Sequence, residues 1–415
     1  MSVLMVLFAA ILVQRSSTGF YAVYVHPSTD KTSEATLQRL AQFGINTIFV
    51  DIYYPTDAGA GVFLAEKKVP WTGRSREPEF AEIFSLDETI ANASKFGISV
   101  HVTISCFGEL PAIDPTNELH RMHLGEVVEY ILTNFPSVSG IHLDYVRYIN
   151  EWGLEANGNG EPITSFVRGI RQMVKGKALS AAVLAAADWG EYNVIRNRAG
   201  QDCQEISQYL DFMCPMAYHL SFGRKLEWIG SVSRFMSSIA KEPCKVFPTV
   251  QAYFDFEREI VVSNQGVAAS ILGPTLEVPS TGMLQFDIDW QNRESQFSLT
   301  LNDSFSREIS AGLIVKYAAR QTGKTYVVNC SVTGTWSTGL RVHSLSGRGD
   351  AVSLHVSDLN EEFPGYLALR SATSTAMSQA NGFCVYALND LSPEEFQAIN
   401  DSVTTAVYRF SYWLS

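Results

Sequence analysis

Carboxylate side chains stand at the ends of several apolar, β-rich runs of this sequence. Asp144 lies near the end of the run GIHLDYVRY, and Asp51, Asp188 and Asp287 occupy comparable positions in or after other runs. Two carboxyl groups that face one substrate can cleave a glycosidic bond, because one protonates the leaving oxygen while the other attacks or activates water. The four aspartates are therefore the candidate catalytic residues, with Asp144 central and Asp188 the first choice for its partner, since Trp189 follows it.

Polar and aromatic residues near the same run ends could bind the substrate. Arg147, three residues after Asp144, is expected to keep that carboxylate ionised, because a nearby cation favours the charged form. A purely structural Asp144–Arg147 salt bridge is the alternative, and any other rim carboxylate could instead be a solvated charge or a helix cap. The candidate substrate-binding residues are Arg147, His142, Tyr218, Trp189, Gln251, Tyr253, Trp290 and Glu109.

Other kinds of site lack their sequence signals. The six cysteines are scattered without a CxxC pair, there is no GxSxG around a serine, and no GxGxxG follows the first β-rich run. We therefore expect neither a metal nor a cofactor. Six free thiols and one or two disulfides are both compatible with the cysteine pattern.

Composition limits the partners. The chain has 415 residues, of which 46% are hydrophobic and 18% charged, and its net charge is −12. Such a chain buries a large core, and it lacks the cations with which a non-specific nucleic-acid binder neutralises phosphates. A polysaccharide or glycan substrate fits this charge, and a cationic or amino-sugar polymer fits better than a strongly acidic one.

An apolar run opens the sequence at Val3–Val13 and is followed by Gln14 and Arg15. It is short for a membrane span and is typical of a secretory signal peptide, so we expect residues 1–17 to be removed. The mature protein is then secreted or held at the cell surface, without stable membrane insertion, and its oligomeric state stays open. A buried N-terminal segment is the alternative. Four Asn-x-Ser/Thr triplets, at Asn92, Asn302, Asn329 and Asn400, are compatible with a secreted glycoprotein.

Eight β-rich runs alternate with amphipathic helical patterns between Gly19 and Trp290. This number and spacing predict a (β/α)8 TIM barrel over residues 18–295. The runs are 20–27, 45–54, 98–107, 140–148, 178–187, 210–218, 245–253 and, as the eighth strand, 282–290. His142 shares the strand parity of Asp144 and should therefore point into the barrel. There a structural histidine with satisfied hydrogen bonds beneath the site is favoured over a proton shuttle.

The sequence changes character after residue 295. Short apolar runs alternate with Gly, Ser and Thr turns, which predicts a C-terminal β-rich, sandwich-like domain over residues 296–415. The last strand–helix pattern, from Gly382 to Phe410, could instead pack back on the barrel.

Four of these segments resemble the glycosyl-hydrolase-like TIM-barrel group known as glycosyl-hydrolase-like family ten. GIHLDYVRY is similar to its fourth-strand signature, LDFMCPMAYH to its sixth strand, AVYVHP to its first and VFPTVQAY to its seventh. The resemblance covers about residues 20–290 and implies a hydrolase-like barrel. The DxxDxDxE fourth strand of chitinase-like barrels is absent.

The favoured hypothesis is a glycoside hydrolase that uses paired carboxylates. A non-catalytic carbohydrate-binding or cell-surface scaffold on the same barrel is the alternative, and another hydrolytic chemistry is a third, because a fold alone does not fix function. The hypotheses differ in whether a second carboxylate approaches Asp144.

Overall fold

A computed structural model describes a closed barrel of parallel strands in this chain. Described are residues 19–108, 112–149, 153–219, 222, 224, 226–252, 365–388, 391, 396–399 and 401–403, together with the backbone of the strands between 258 and 358. The signal-peptide prediction for residues 1–17 lies outside these residues.

The strands, numbered along the chain, are β1 Phe20–Val25, β2 Thr47–Asp57, β3 Ala60–Ala65, β4 Glu79–Phe84, β5 Ser99–Ser105, β6 Gly140–Asp144, β7 Ala178–Leu184, β8 Phe212–Met216, β9 Lys245–Val246, β10 Thr249–Gln251, β11 Arg258–Val262, β12 Ala269–Val278, β13 Gly282–Trp290, β14 Ser295–Asp303, β15 Glu308–Ile309, β16 Lys324–Cys330, β17 Gly334–Ser344, β18 Asp350–Asp358 and β19 Gly382–Tyr386. The helices are Glu34–Gln42, Leu86–Lys95, Glu118–Asn134, Glu161–Met173, Trp189–Ala199, Cys203–Ile206, Glu227–Ile239 and Gly365–Met377, with a 3₁₀ turn at Ser207–Tyr209.

Eight of these strands form the barrel, which confirms the predicted (β/α)8 fold. Their order around the ring is β1, β2, β5, β6, β7, β8, β10 and β19, and β19 pairs with β1 to close it. Every neighbouring pair in the ring is parallel. Parallel strands covered by helices are buried on both faces, and this explains the near-continuous apolar runs.

Inward-pointing side chains fill the barrel in successive layers. Near its N-terminal end Phe20 stacks on Phe247 with 4.3 Å between ring centroids. Higher up, the rings of Phe49 and His142 are 4.2 Å apart. Asp144 follows two residues beyond His142 on the same strand, so the inward stripe delivers its carboxyl group to the C-terminal end of the barrel.

Gly140 begins β6 because the barrel interior leaves no room for a side chain there. A Cβ at this position would lie 2.5 Å from Nδ1 of His101 and 2.7 Å from the carbonyl oxygen of Ala178. The glycine therefore lets β6 pack tightly at its base, two residues before the inward-pointing His142.

The eighth barrel strand is β19, so the assignment of residues 282–290 to this position is wrong. Phe20–Val23 pairs with Gly382–Val385 in parallel, and Thr249–Gln251 pairs with Cys384–Tyr386 on the other side. The strand at 282–290 pairs antiparallel with 324–330 and 350–358 instead. The strand of the Gly382–Phe410 pattern thus belongs to the barrel, in agreement with the alternative left open by the sequence.

The β-rich segment is consequently an insertion between the seventh and eighth barrel strands, and residue 295 does not separate two consecutive domains. Strands β11, β18, β13 and β16 form one four-stranded sheet, and β12, β17, β14 and β15 form another. All of their pairings are antiparallel. A sandwich of the two sheets remains a prediction.

Several smaller sequence expectations also have an outcome. Ser85 caps the helix Leu86–Lys95, accepting a hydrogen bond from the Glu88 amide, as the capping pattern predicts. Within the described part of the chain the cysteines Cys106, Cys203, Cys214, Cys244 and Cys384 are free thiols, and no helix is long and apolar enough to cross a membrane.

One glycosylation triplet is poorly placed for modification of the folded protein. Asn92 lies on the helix Leu86–Lys95 and is only 7% exposed. The other three triplets, at Asn302, Asn329 and Asn400, have side chains outside the described residues.

Candidate active site

A cavity of about 240 Å³ opens at the C-terminal end of the barrel strands. Its walls come from six barrel strands and the turns that follow them, which is where TIM-barrel enzymes carry their reactive groups. The lining residues are His26, Asp51, Tyr53, Tyr54, Thr103, Ser105, Asp144, Tyr145, Arg147, Met216, Tyr218 and Tyr386. Asp144, Asp51, Arg147 and Tyr218 are thus brought together as the sequence suggested.

Asp144 is held in a fixed orientation at the end of β6. The backbone N–H of Tyr145 donates a 2.6 Å hydrogen bond to Oδ1 of Asp144. Tyr145 itself adopts a positive φ of 48°, which is costly for a residue with a side chain, and its carbonyl accepts from the amides of Phe107 and Arg147. Backbone strain maintained in this way directly beside a carboxyl group is typical of functional sites.

Burial raises the pKa of Asp144 from its ordinary 3.8 to about 6. The Tyr145 amide and the Arg147 guanidinium act in the opposite direction, while the negative charge of Asp51 raises the pKa further. Asp144 is therefore still mostly ionised at pH 7, as expected from the sequence, but desolvation outweighs the Arg147 cation and brings the pKa close to neutral pH. Asp144 is thus a carboxyl group able to exchange a proton near neutral pH.

Arg147 lines the cavity but does not form an ion pair with Asp144. Its guanidinium carbon lies 4.9 Å from the centroid of the Tyr145 ring, which is a cation–π arrangement. Among the described residues no ion pair within 4.0 Å joins Arg147 to Asp144, so the purely structural salt bridge is not formed. Arg147 acts on Asp144 through its charge.

Asp51 provides the second carboxylate of the cavity. It ends the inward stripe of β2, is 7% exposed, and contacts Nδ1 of His26 through Oδ2 at 2.5 Å. Because a carboxylate only accepts, Nδ1 of His26 carries the donated proton. Nε2 of the same ring lies 3.2 Å from the hydroxyl of Tyr386, so three strands contribute to one polar chain.

A β-bulge in β2 shapes the wall beside Asp51. Asp51 pairs with Thr103 on β5, but Tyr53 pairs with Ile104, so one extra residue lies in β2 between them. Bulges next to active sites redirect side chains. After this bulge, the consecutive residues Tyr53 and Tyr54 both line the cavity, although neighbours in a regular strand point to opposite faces. Tyr53 is then fixed by its hydroxyl, which donates to the Ala60 carbonyl at 3.0 Å and contacts Nε2 of His123 at 2.8 Å.

Thr103 offers the cavity an unused hydrogen-bonding group. It is 3% exposed, lines the cavity wall, and its Oγ1 has no hydrogen-bond partner among the described residues. A buried hydroxyl without a partner costs free energy unless water or a ligand satisfies it. Thr103 is therefore available to a bound molecule.

His142 does not reach the cavity, so its assignment as a substrate-binding residue is wrong. The ring points into the barrel as its parity predicts, but it is fully buried beneath Asp144. Nε2 lies 2.9 Å from the Tyr24 hydroxyl and Nδ1 lies 2.8 Å from the Ser180 hydroxyl. Burial lowers the pKa of His142 well below its usual range, which leaves it neutral and structural.

Asp188 is not among the residues that line this cavity. It is the N-cap of the helix Trp189–Ala199, and its Oδ1 accepts a 2.9 Å hydrogen bond from the Glu191 amide. The helix-cap alternative therefore describes Asp188, and the geometry gives no support to its role as the acid paired with Asp144. Trp189 begins the helix, is 55% exposed, and packs its ring edge-on against Tyr192 and Phe235.

Of the remaining candidate residues, the structure describes the side chains of two. Tyr218 lines the cavity, whereas Gln251 is buried in the barrel at the level of Tyr386. Glu109 and Tyr253 lie outside the described residues, as do the side chains of Asp287 and Trp290. Because the strand that carries Asp287 and Trp290 belongs to the inserted sheets, the argument that placed them on the barrel rim no longer holds.

The sequence did not identify eight of the twelve residues that line the cavity, and His26, Tyr386 and Thr103 are among them. His26 follows the first strand with the inward parity of Tyr24, and this parity was a usable signal. Tyr386 could not be found, because its strand was not assigned to the barrel. Thr103 is a neutral residue within an apolar run, and nothing local distinguishes it. No cluster of three or more His, Cys, Asp or Glu suited to a metal occurs within the described part of the chain.

The comparisons with known proteins show the fold alone. No family model and no curated protein matches the sequence. Among solved structures, a chitinase from Chromobacterium violaceum ATCC 12472 is 12% identical with a TM-score of 0.50, covering 93% of this chain and 99% of that one. The C-terminal domain of a putative chitinase from Desulfitobacterium hafniense DCB-2 is 10% identical with a TM-score of 0.51, covering 94% and 99%. This chain thus shares a barrel architecture with proteins of that name.

Proposed function

We propose that this protein is a glycoside hydrolase that cleaves a polysaccharide or glycan in the cavity at the barrel end. The observation that carries the proposal is the presence of a buried, protonatable Asp144 and the hydrogen-bonded Asp51–His26 pair in one cavity. Two carboxyl groups in different environments are the combination that glycosidic cleavage requires.

In this scheme Asp144 is the proton-transfer group. A carboxyl group with a pKa of about 6 donates and accepts a proton readily at neutral pH. Its neighbour Asp51 replaces Asp188 as the partner carboxylate, and it stabilises positive charge that develops on the sugar or activates water. His26 orients Asp51 through the Nδ1 contact, and the Tyr386 hydroxyl contacts the other ring nitrogen of His26.

The lining of the cavity suits a sugar. Tyr145, Tyr218 and Tyr386 present aromatic rings, while Thr103 and Arg147 offer hydrogen-bonding groups to hydroxyls. The solved chitinases with this fold make amino-sugar polymers a natural first test, and the net charge of −12 is compatible with a cationic polymer. The proposal includes secretion after removal of residues 1–17 and membership of the glycosyl-hydrolase-like group that the strand motifs resemble.

The test is hydrolysis of a glycan panel by the full-length mature protein and two variants. New reducing ends are measured with chitin-type, cellulose-type and starch-type oligosaccharides. Asp144→Asn should abolish most of the activity, by on the order of 10³-fold or more if the proton transfer is lost. Asp188→Asn is the matched control, because it makes the same chemical change at a helix cap where Asn serves equally well.

Two outcomes contradict the proposal. A stable Asp144→Asn protein with undiminished turnover would exclude this residue from the chemistry. Glycan binding without turnover by the wild type would favour the non-catalytic carbohydrate-binding alternative.

A further inference from the structure

A second concave surface lies beside the cavity on the same end of the barrel. This aromatic groove, with a volume of about 490 Å³, is lined by Glu191, Val194, Ile195, Phe222, Arg224 and Trp228 among others. Phe222 is 50% exposed and Val194 56% exposed, so apolar surface faces solvent here. Contiguous exposed apolar surface of this kind marks binding grooves in soluble proteins.

The groove and the cavity are joined by a row of aromatic rings. Tyr386 and Tyr218 line the cavity, and their ring centroids are 5.8 Å apart. Tyr218 lies parallel to Phe222 within 8°, at 6.4 Å, and Phe222 lies 5.9 Å from Trp228. The row therefore runs continuously from the cavity into the groove.

Polar contacts fix the groove in shape. Oε2 of Glu191 accepts from Nε1 of Trp228 at 3.2 Å and from the Ala187 amide at 2.8 Å. Oε1 of the same carboxylate pairs with the Arg224 guanidinium at 2.6 Å. The Glu191 carboxylate thus holds both the Trp228 ring and the Arg224 guanidinium in place. A surface organised before binding loses less conformational entropy when a ligand binds.

Size separates the roles of the two surfaces. Small-molecule sites usually measure about 300–1,000 Å³, so the 240 Å³ cavity accommodates a small unit while the 490 Å³ groove has room for more. A pyranose ring presents a face of C–H bonds that complements the negative face of an aromatic ring. Its hydroxyl groups would meet Arg224 and Glu191 at the groove wall.

We propose that the aromatic groove binds the sugar units that extend beyond the reacting unit, so that the protein recognises a chain rather than a single sugar. This inference rests on the proposed function, because it takes the cavity as the place where the reacting unit sits. The ligand class is a neutral or amino-sugar oligosaccharide, whose flat ring faces match the exposed ring of Phe222 and the partly buried ring of Trp228.

Binding measured without turnover tests this inference separately from catalysis. Affinities of the Asp144→Asn protein are measured by calorimetry for chitin-type and cellulose-type chains from disaccharide to octasaccharide. We expect affinity to rise with length, and Phe222→Ala to weaken binding of the longest chains by at least about tenfold while leaving disaccharides nearly unaffected. Trp228→Phe keeps an aromatic ring but loses the Glu191 hydrogen bond, so it should weaken binding of long chains less than Trp228→Ala does.

Leu119→Ala is the matched control, because Leu119 is 51% exposed and lines neither surface. It should not alter binding at any length. Affinity independent of length, or long-chain binding that survives Phe222→Ala, would overturn the groove assignment, as would failure of every glycan to bind. Length-dependent binding that needs Phe222, without hydrolysis by the wild type, would uphold the groove and reject the proposed catalysis.

Discussion

Nδ1 of His26 lies 2.5 Å from Oδ2 of Asp51 at the mouth of the barrel, joining the residue that follows β1 to the middle of β2. The pair influences Asp144 two strands away, since the Asp51 charge raises the pKa of Asp144 and His26 lowers it. Residues from three strands therefore determine the electrostatic environment of Asp144. Because they are brought together by closure of the ring, the site exists only in the folded barrel.

The first prediction concerns the pH dependence of turnover. The profile of kcat/KM should show an inflection near pH 6 that belongs to Asp144 in the free enzyme. Activity that falls above this pH identifies Asp144 as the general acid, whereas activity that falls below it identifies a base or nucleophile. A profile that is flat between pH 5 and 7 would be incompatible with either role.

The second prediction tests the charges around Asp144. Arg147→Gln removes a cation that lowers the pKa of Asp144, so the inflection should move to higher pH. Asp51→Asn removes an anion that raises it, so the remaining activity should show an inflection at lower pH. The two variants are each other's control, and shifts in the same direction would refute the electrostatic account.

The third prediction is that Asp144→Asn stabilises the fold while it removes activity. A carboxyl group whose pKa is raised from 3.8 to about 6 binds its proton more tightly in the folded state, so stability falls as pH rises from about 4 to about 6. At pH 7 the ionised Asp144 costs up to about 3 kcal/mol, which Asn avoids while still accepting from the Tyr145 amide.

Urea unfolding at pH 7 and pH 4 measures this effect. The stability gain of Asp144→Asn should be largest at pH 7 and should nearly vanish at pH 4. A variant that is less stable than the wild type at pH 7 would show that the charge of Asp144 supports the fold.

The fourth prediction separates His142 from the chemistry. His142→Phe leaves the hydroxyls of Tyr24 and Ser180 without their ring partner inside the barrel. The loss of unfolding free energy should be about 2–6 kcal/mol, since each of the two unsatisfied buried groups costs about 1–3 kcal/mol. Ser180→Ala, which leaves one ring nitrogen unpaired, is the comparison and should cost less. Unchanged unfolding free energy together with lost turnover would instead place His142 in the mechanism.

The fifth prediction follows from the pairing of the last strand. A chain that ends at residue 295 lacks β19 and leaves β1 and β10 with open edges. Exposed strand edges promote aggregation, so this truncation should be insoluble or should melt without cooperativity. Thermal unfolding of the full chain provides the reference. A soluble truncation with a cooperative transition would mean that seven strands suffice.

The sequence predicted the barrel and the central aspartate because both depend on local pattern. Strand parity along GIHLD correctly directs His142 and Asp144 inward, and the ends of buried runs correctly identify Asp51 and Tyr218. The prediction of the eighth strand was wrong because an apolar run does not show which sheet it joins. Residues 282–290 and 382–386 are both apolar, and only pairing over long chain separations distinguishes them.

Asp188 shows a second reason why the sequence alone does not predict the whole site. An aspartate between a strand and a helix has the same local sequence whether it caps the helix or reaches a substrate. The hydrogen bond that Asp188 accepts from the Glu191 amide shows that this residue caps the helix, and that bond depends on backbone geometry. The rise in the pKa of Asp144 could not be predicted for a similar reason, since a neighbouring arginine is visible in the sequence while desolvation is not.

The late position of β19 also affects how the protein is made. The seventh barrel strand is complete at Gln251, but its partner begins at Gly382, so the ribosome must synthesise the whole inserted segment before the ring can close. At about 5–20 residues per second this interval lasts on the order of ten seconds. During it, β1 and β10 present unpaired edges to other nascent chains. Chaperone demand and aggregation in cells should therefore depend on the length and folding speed of the insertion, even where the finished barrel is equally stable.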